Sequence, residues 1–185
     1  MKNIICIVGP SGSSKDSVAL YSLKSVGYLD IVSHTTRAPR IGEVDGVNYH
    51  YVTKEVFDKL RKVESVCYSG NYYCVAKDEI EAKFKKSNNL AVVVSIEGAE
   101  ALKAEYGDIV KTVFMNIDRD VCIQRMVLRG DSEESIQARI KNYDESKEFE
   151  NGPRCDYIYN CPTDMSIEDN RKDFLKFIEN LKEVV

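Results

Sequence analysis

A glycine-rich segment near the N-terminus constrains this chain more than any other stretch. Residues 8–17 read V-G-P-S-G-S-S-K-D-S and follow the apolar run I-I-C-I at residues 4–7. An apolar run of strand length, a glycine-rich turn and a lysine at the start of a helix form an arrangement that binds phosphate through backbone N–H groups. The segment therefore predicts a phosphate-binding loop between a buried strand and a helix.

The loop departs from the consensus G-x-x-x-x-G-K-[ST] at two positions. Gly9 and Lys15 match it, whereas Ser14 replaces the second glycine and Asp16 replaces the hydroxyl residue after the lysine. Gly12 adds further freedom to the turn. Spacing alone leaves two interpretations open, a nucleotide site and a turn without a ligand, and it favours the nucleotide site.

Composition predicts one globular domain without a nucleic-acid or membrane partner. The chain has 185 residues, of which 43% are hydrophobic and 30% charged, and its formal net charge is −4. No segment approaches the roughly 18 consecutive apolar residues of a membrane span, and the first residues lack the layout of a signal peptide. We therefore expect a cytoplasmic protein. Its six cysteines contain no C-x-x-C pair and are expected to be reduced thiols.

Three continuous apolar stretches, residues 2–8, 90–96 and 109–117, are typical of buried strands with helices on both faces. Helices are predicted after Lys15, from residue 97 to about residue 107, and after Asp118, and a short strand is predicted around residues 29–32. Alternating strands and helices predict an α/β fold with a mostly parallel sheet and right-handed crossovers. Ligands bind outside the carboxyl ends of such strands, where the loop at Gly9 lies.

The other segments predict an insertion and a polar helix. The insertion has a strand at 49–52, a helix at 54–62 capped by Thr53, and strands at 64–68 and 71–75 joined at Ser69 and Gly70. Residues 131–134 have capping-box spacing and open a polar helix, which is either a mobile lid or a solvated helix without a role. A strand at 156–160 and an amphipathic helix follow.

A second polar segment offers donors for a phosphate monoester. Ser33, Arg37, Arg40 and Tyr49 supply hydroxyl, guanidinium and phenol groups within one short stretch. An arginine can bind two phosphate oxygens at once. The alternative is an ordinary solvated basic loop, and charge alone would favour it.

Three motifs resemble those of guanylate kinases. Residues 33–49 read S-H-T-T-R-A-P-R-I-G-E-V-D-G-V-N-Y, which is similar to the family signature S-x-T-T-R-x-P-R-x-G-E-x-x-G-x-x-Y. Residues 70–73, G-N-Y-Y, and residues 9–12, G-P-S-G, resemble two further motifs of that family. Their order and spacing fit across nearly the whole chain.

The resemblance implies an enzyme that transfers the terminal phosphoryl group of ATP to GMP, giving ADP and GDP, with Mg²⁺. It implies a single α/β domain with a three-layer P-loop core and a mostly parallel sheet. The core would comprise residues 1–32, 87–128 and 153–185, with a small monophosphate-binding insertion at 33–86 and a helical lid at 129–152. The expected assembly is a monomer or a homodimer.

The resemblance also implies roles for individual residues. The catalytic cations would be Lys15, Arg125, Arg129 and Arg139. The ATP site would comprise Gly9, Gly12, Ser13, Ser14, Lys15, Asp16, Ser17 and Asn160, with Asp16 as the metal ligand. The phosphate of GMP would be held by Ser33, Arg37, Arg40, Tyr49 and Tyr73. Glu64 would read guanine, because a carboxylate accepts both the N1–H and the 2-amino hydrogens.

Two departures from the family affect the donor loop. If Ser14 has a positive φ, its side chain costs on the order of 1 kcal/mol relative to glycine. The Asp16 carboxylate either ligates Mg²⁺ as a hard oxygen donor or weakens nucleotide binding by repulsion.

Two further departures lie on the acceptor side and near the metal. The family's Gly and Ser or Thr after G-N-Y-Y are replaced by Cys74 and Val75, and its D-x-D-x-Q pattern is replaced at Val93, Ser95 and Glu97. Guanine selectivity could therefore be relaxed. The four departures leave an alternative open, a catalytically impaired domain that binds nucleotide or phosphopeptide without turnover.

Overall fold

A computed structural model describes residues 1–68 and 70–183, and a parallel sheet around the first apolar strand forms its centre. Within these residues the sheet has five strands, all parallel to their neighbours. Their order is β2 (Leu29–Asp30), β7 (Asn89–Val93), β1 (Asn3–Val8), β8 (Val110–Asn116) and β9 (Tyr157–Asn160). The predicted α/β class with a mostly parallel sheet is confirmed.

Helices cover both faces of this sheet. Side chains of β1 alternate between the faces, as a strand requires. Cys6 packs in one core with α4 (Ile96–Tyr106), and Ile7 packs in a second core with α7 (Ile167–Glu183). The continuous apolar sequence of β1 follows from this double burial, and the three-layer arrangement is confirmed.

The first helix begins directly after the glycine-rich loop. A π-helical stretch (Lys15–Leu20) continues into α1 (Tyr21–Ser25). Val18 and Leu23 are buried in the second core, as predicted. This helix connects the carboxyl end of β1 to the edge of the sheet at β2.

A second sheet carries the acceptor segment. Its elements are β3 (His34–Thr35), β4 (His50–Tyr51), α2 (Lys54–Lys59), β5 (Lys62–Tyr68), β6 (Asn71–Ala76) and α3 (Lys77–Phe84). Within the described residues the strand order is β4, β3, β6, β5, with β3 parallel to β4 and antiparallel to β6. The predicted β5–β6 hairpin is confirmed, while the predicted turn residue Ser69 lies outside the described residues.

The polar helix predicted after residue 131 is present, and it packs against the helix that precedes it in the chain. Gly130 ends α5 (Arg119–Arg129), and the Ser132 hydroxyl caps α6 (Glu133–Glu145) by accepting from the Ser135 N–H at 3.3 Å. A third core joins α5 to α6. Two short 3-10 turns, Glu148–Glu150 and Gly152–Arg154, lead back to β9.

Three predicted boundaries were wrong. The strand predicted at 90–96 ends at Val93, because Ser95 caps α4 by accepting from the Gly98 N–H at 3.1 Å. The helix predicted at 54–62 ends at Lys59, since Leu60 is extended and leads into the pairing of β5 with β6. The strand predicted around 29–32 is limited to β2. Over the described residues, no helix is both long and apolar enough to cross a membrane.

Candidate active site

The glycine-rich loop wraps closely around the start of α5. A Cβ on Gly12 would lie 2.7 Å from the Cys122 carbonyl oxygen, and its φ is +85°, so no other residue fits there without displacement. Gly9 also has a positive φ, of +155°. The Ser13 hydroxyl is buried and has no hydrogen-bond partner within the described residues. The loop is therefore packed tightly against the start of α5.

Ser14 has the left-handed backbone that the sequence raised as a possibility. Its φ is 66° and its ψ 25°, and within the described residues only Lys147 shares a positive φ among non-glycine residues. The Ser14 hydroxyl accepts a hydrogen bond from Arg125 Nη1 at 2.9 Å. The side chain that replaces glycine therefore has a specific partner.

The Lys15 side chain folds back onto the glycine-rich loop. Its Nζ donates to the carbonyl oxygens of Gly9 at 2.6 Å and Pro10 at 2.7 Å. Burial lowers the pKa of the ammonium group, and the nearby Asp16 carboxylate opposes that shift. The cation is thus held at the loop where a phosphate-binding lysine is needed.

Asp16 and Ser17 lie in the first turn of the helix and are exposed. Asp16 forms no salt bridge with any described residue. The Ser17 carbonyl accepts from Arg171 Nε at 2.9 Å, which ties this turn to α7. No group of three or more His, Cys, Asp or Glu side chains in the described chain could hold a metal. A lone carboxylate does suit Mg²⁺ that arrives with a nucleotide, because Mg²⁺ is usually held by one or two carboxylates plus phosphates and waters.

Two of the three predicted lid arginines contact the loop. Arg139 donates to the Ser11 hydroxyl, and Arg125 donates to Ser14. Arg129 is instead paired with Asp131, whose Oδ1 accepts from Nε at 2.8 Å. Through that hydrogen bond, the Asp131 carboxylate raises the pKa of Arg129.

The acceptor segment is organised by a carboxylate. Glu43 accepts from Arg37 Nη2, from the Tyr51 hydroxyl at 2.8 Å and from the backbone N–H of Arg40 at 2.7 Å. Burial opposes ionisation, yet these donors hold the pKa of Glu43 below its usual value. The fixed Arg37 guanidinium lies over the ring of Tyr49, with its central carbon 5.6 Å from the ring centroid.

The remaining predicted acceptor residues adjoin this cluster. Tyr49 and Tyr73 meet edge to face, with ring centroids 5.8 Å apart. The Ser33 carbonyl accepts from the His50 N–H at 2.9 Å, which places Ser33 beside β4. Arg40 is exposed. Burial, and then the negative charge of Asp16, raises the pKa of Tyr49. The donor and acceptor loops therefore lie within electrostatic reach of each other.

Glu64 lies on β5, half-buried against the start of α4. Its carboxyl carbon is 3.3 Å from the point where a Cβ on Gly98 would lie, so glycine is needed for this approach. Burial raises the pKa of Glu64 to about 7, with a further contribution from the like charge of Glu97. Asn160 ends β9 at the other side of the loop, where its side-chain oxygen accepts from Asn116 at 2.7 Å.

Comparison with known proteins agrees with the motifs. The guanylate kinase family profile matches residues 1–181. This chain belongs to the guanylate kinase family. It is 31% identical over 179 residues to a guanylate kinase of Fusobacterium nucleatum, covering 94% of both chains. It is 34% identical over 185 residues to a guanylate kinase of Clostridium perfringens strain SM101, covering 95% of this chain and 80% of the relative.

The fold of this guanylate kinase family member is shared with a solved structure. The crystal structure of guanylate kinase from Anaplasma phagocytophilum covers 97% of this chain and 85% of its own, with a TM-score of 0.65 and 21% identity. At that identity the likeness shows the fold.

The sequence did not predict the roles of two carboxylates, those of Glu43 and Glu148. Glu43 was part of the quoted signature, but its role in holding Arg37 was not predicted. Glu148 was not singled out at all: it lies near Ser11, Lys15 and Arg139, and burial raises the pKa of its carboxyl group. A signal for Glu43 was present in the G-E of the motif. Nothing in the local sequence distinguishes Glu148 from Glu145 or Glu150.

Proposed function

We propose that this chain phosphorylates GMP with ATP and releases GDP and ADP. One observation carries the proposal: a chain that matches the guanylate kinase family over residues 1–181 folds its acceptor segment so that Glu43 fixes Arg37 beside Tyr49 and Tyr73. In the reaction, an oxygen of the GMP phosphate forms a bond to the terminal phosphorus of ATP. The bond from that phosphorus to the bridging oxygen breaks, and ADP leaves with the electron pair.

On the donor side, the loop would bind the phosphates of ATP. Backbone N–H groups of the loop and the Lys15 ammonium supply positive charge, and Asn160 would lie near the adenine. Mg²⁺, when bound with ATP, neutralises charge on the phosphates, and Asp16 is the residue that would hold it. The loop residues assigned to ATP are Gly9, Gly12, Ser13, Ser14, Lys15, Asp16 and Ser17.

On the acceptor side, Arg37 is held ready by Glu43 and therefore needs little reorganisation to bind the GMP phosphate. Arg40 is exposed and free to turn toward the same phosphate. The hydroxyl groups of Ser33, Tyr49 and Tyr73 complete this proposed subsite. The ionised Glu64 carboxylate would accept the two N–H groups of guanine.

The lid would complete the site. Arg125 and Arg139 already contact the loop, and Arg129 would exchange Asp131 for a phosphate oxygen when the nucleotides bind. Converging cations stabilise the charge on the transferring phosphoryl group, which supplies most of the catalysis in this chemistry. We accordingly retain the division into a core, an insertion at 33–86 and a lid at 129–152.

A coupled assay of ADP release tests the function. GMP, AMP, CMP and UMP are each supplied with ATP and Mg²⁺, and we expect turnover with GMP to exceed that with the others. Calorimetric titration of GMP into the protein is run in parallel. Binding of GMP without turnover of any monophosphate would reject the enzyme and indicate a binding domain.

A further inference from the structure

Ser14 holds a backbone conformation that a glycine would adopt without cost. Its φ of 66° lies in the left-handed region, which is unfavourable for a residue with a Cβ. A strained residue at a site persists when the surrounding structure or the function depends on it. The contacts of the Ser14 side chain show what that dependence is.

The Ser14 hydroxyl binds the guanidinium of Arg125. Arg125 Nη1 donates to Ser14 Oγ at 2.9 Å and approaches the Gly12 carbonyl oxygen at 3.4 Å. Arg125 is half-buried on α5 and forms no salt bridge with a described residue. Both of these hydrogen-bond partners belong to the glycine-rich loop.

Holding a long side chain in one place costs conformational entropy. An arginine side chain has many rotamers and loses most of this freedom when it is fully ordered. A hydrogen bond formed before the substrate binds removes part of that cost from the reaction step. A glycine at position 14 would have no side chain to form this bond.

We propose that Ser14 is a positioning residue whose hydroxyl fixes the Arg125 guanidinium over the donor-phosphate loop. The left-handed backbone of Ser14 places its hydroxyl toward α5, where it meets Arg125. The backbone strain therefore accompanies the hydrogen bond to Arg125. Ser14 then holds the Arg125 guanidinium in place, and its replacement of glycine does not impair the loop. This inference rests on the proposed function, because it assigns Arg125 to phosphoryl transfer.

Stability and turnover should change in opposite directions in Ser14→Gly. Relief of strain should raise the thermal midpoint by about 2–4 °C. Loss of the anchor should lower kcat about tenfold while the KM for GMP changes less than about twofold. Ser14→Asn should recover part of kcat, since asparagine tolerates the left-handed region and keeps a side-chain oxygen.

Two controls separate positioning from strain. Lys147→Gly relieves the other positive φ among the described non-glycine residues, and its effect on the midpoint calibrates the stability gained from relief of strain alone. In an Arg125→Ala background, Ser14→Gly should cause no further loss of kcat. The proposal is overturned if Ser14→Gly keeps the full kcat, or if its loss is the same with and without Arg125.

A readout without turnover keeps the two proposals distinct. In protein labelled with ¹⁵N-arginine, the Arg125 Nη1 protons, which donate to Ser14, should exchange with water more slowly in the wild type than in Ser14→Gly. Equal exchange rates would overturn the anchor even in an active enzyme. A wild type without GMP-dependent turnover would reject the proposed function, while the exchange rates would still test the anchor.

Discussion

Asp16 replaces the usual hydroxyl residue, and two roles were considered for it, metal ligation and repulsion of the nucleotide. It is exposed in the first helical turn, and it forms no salt bridge within the described residues. The Arg129 and Tyr49 side chains both lie within reach of its charge. A carboxylate that is not held in a salt bridge is available to a metal ion, so we favour the first role.

We expect Asp16→Asn to weaken binding of the Mg²⁺–ATP complex about tenfold, because a metal ligand is lost. In EDTA the same variant should bind metal-free ATP more tightly than the wild type, since only repulsion is removed. Calorimetric titration with and without Mg²⁺ measures both effects. Asp120→Asn, which removes an exposed acid from α5, is the control for net charge. Tighter binding under both conditions would assign repulsion alone to Asp16.

Glu64 links stability to the reading of the base. Burial raises its pKa from the model-compound value of 4.5 to about 7 in the folded chain. Its contribution to stability is complete below the unfolded pKa and is lost as the pH rises through about 7. The ionised form, which we propose accepts the N–H groups of guanine, is therefore the form that destabilises the fold.

Glu64→Gln should be more stable than the wild type by about 1–2 kcal/mol at about pH 8, because no charge is buried and the partly exposed site screens the full effect. Near pH 5 the gain should shrink. The wild-type kcat/KM for GMP should fall below about pH 7, whereas the variant should be slow at every pH. Chemical unfolding and assays across this range measure both effects. A stability gain that is independent of pH would contradict the assignment.

At the scale of elements, the parallel pair β3 and β4 supports the acceptor segment through two histidines. His34 and His50 lie opposite each other with ring centroids 4.6 Å apart, and His50 Nε2 is 3.4 Å from Glu79 Oε2. Burial and then His50 lower the pKa of His34, while Glu79, Asp45 and Asp78 oppose that shift. Its folded-state pKa lies below the unfolded one, so its contribution to stability is lost as the pH falls below about 6.5.

His50→Phe should reduce this sensitivity to acid, because protonated His34 would no longer meet a like charge. The thermal midpoint of the variant relative to the wild type should be higher near pH 5.5 than near pH 8, with a difference of about 2–4 °C. The comparison near pH 8, well above the pH range in which His34 takes up a proton, isolates the change in packing. An unchanged difference between the two pH values would exclude the histidine pair as its cause.

Strands that are buried on both faces could be predicted from the sequence. The residues at which the strands end were harder to predict. Continuous apolar residues defined β1 because helices cover both faces of that strand. The same reasoning extended β7 to Ile96, because an apolar residue is equally suited to a strand and to the first turn of a helix. The Ser95 cap decides between them, and a serine hydroxyl can cap a helix or remain in solvent.

At the scale of the whole molecule, the proposed donor loop follows β1 of the five-stranded sheet, and the proposed acceptor segment belongs to the second sheet. The sequence predicted two separate segments, since each loop is continuous and has its own motif. It could not predict the contacts between distant segments, such as Ser14 with Arg125 or Ser11 with Glu148. Those depend on how α5 and the turn at Glu148–Glu150 pack over the loop, which no local pattern encodes.

Closure of the lid should require both nucleotides, because Arg139 and Tyr143 of the lid already hydrogen-bond to Ser11 of the donor loop, whereas Asp131 meets the acceptor segment only through the charge of Arg40. With GMP alone, amide hydrogen exchange should slow in residues 33–49. With GMP and a non-hydrolysable ATP analogue, exchange should also slow in residues 9–17 and 129–152. Amides of β1 and β8 serve as the internal control, and AMP in place of GMP should leave residues 33–49 unprotected. Full protection of residues 129–152 by GMP alone would show that the lid closes on the acceptor, and the proposed order of contacts would then be wrong.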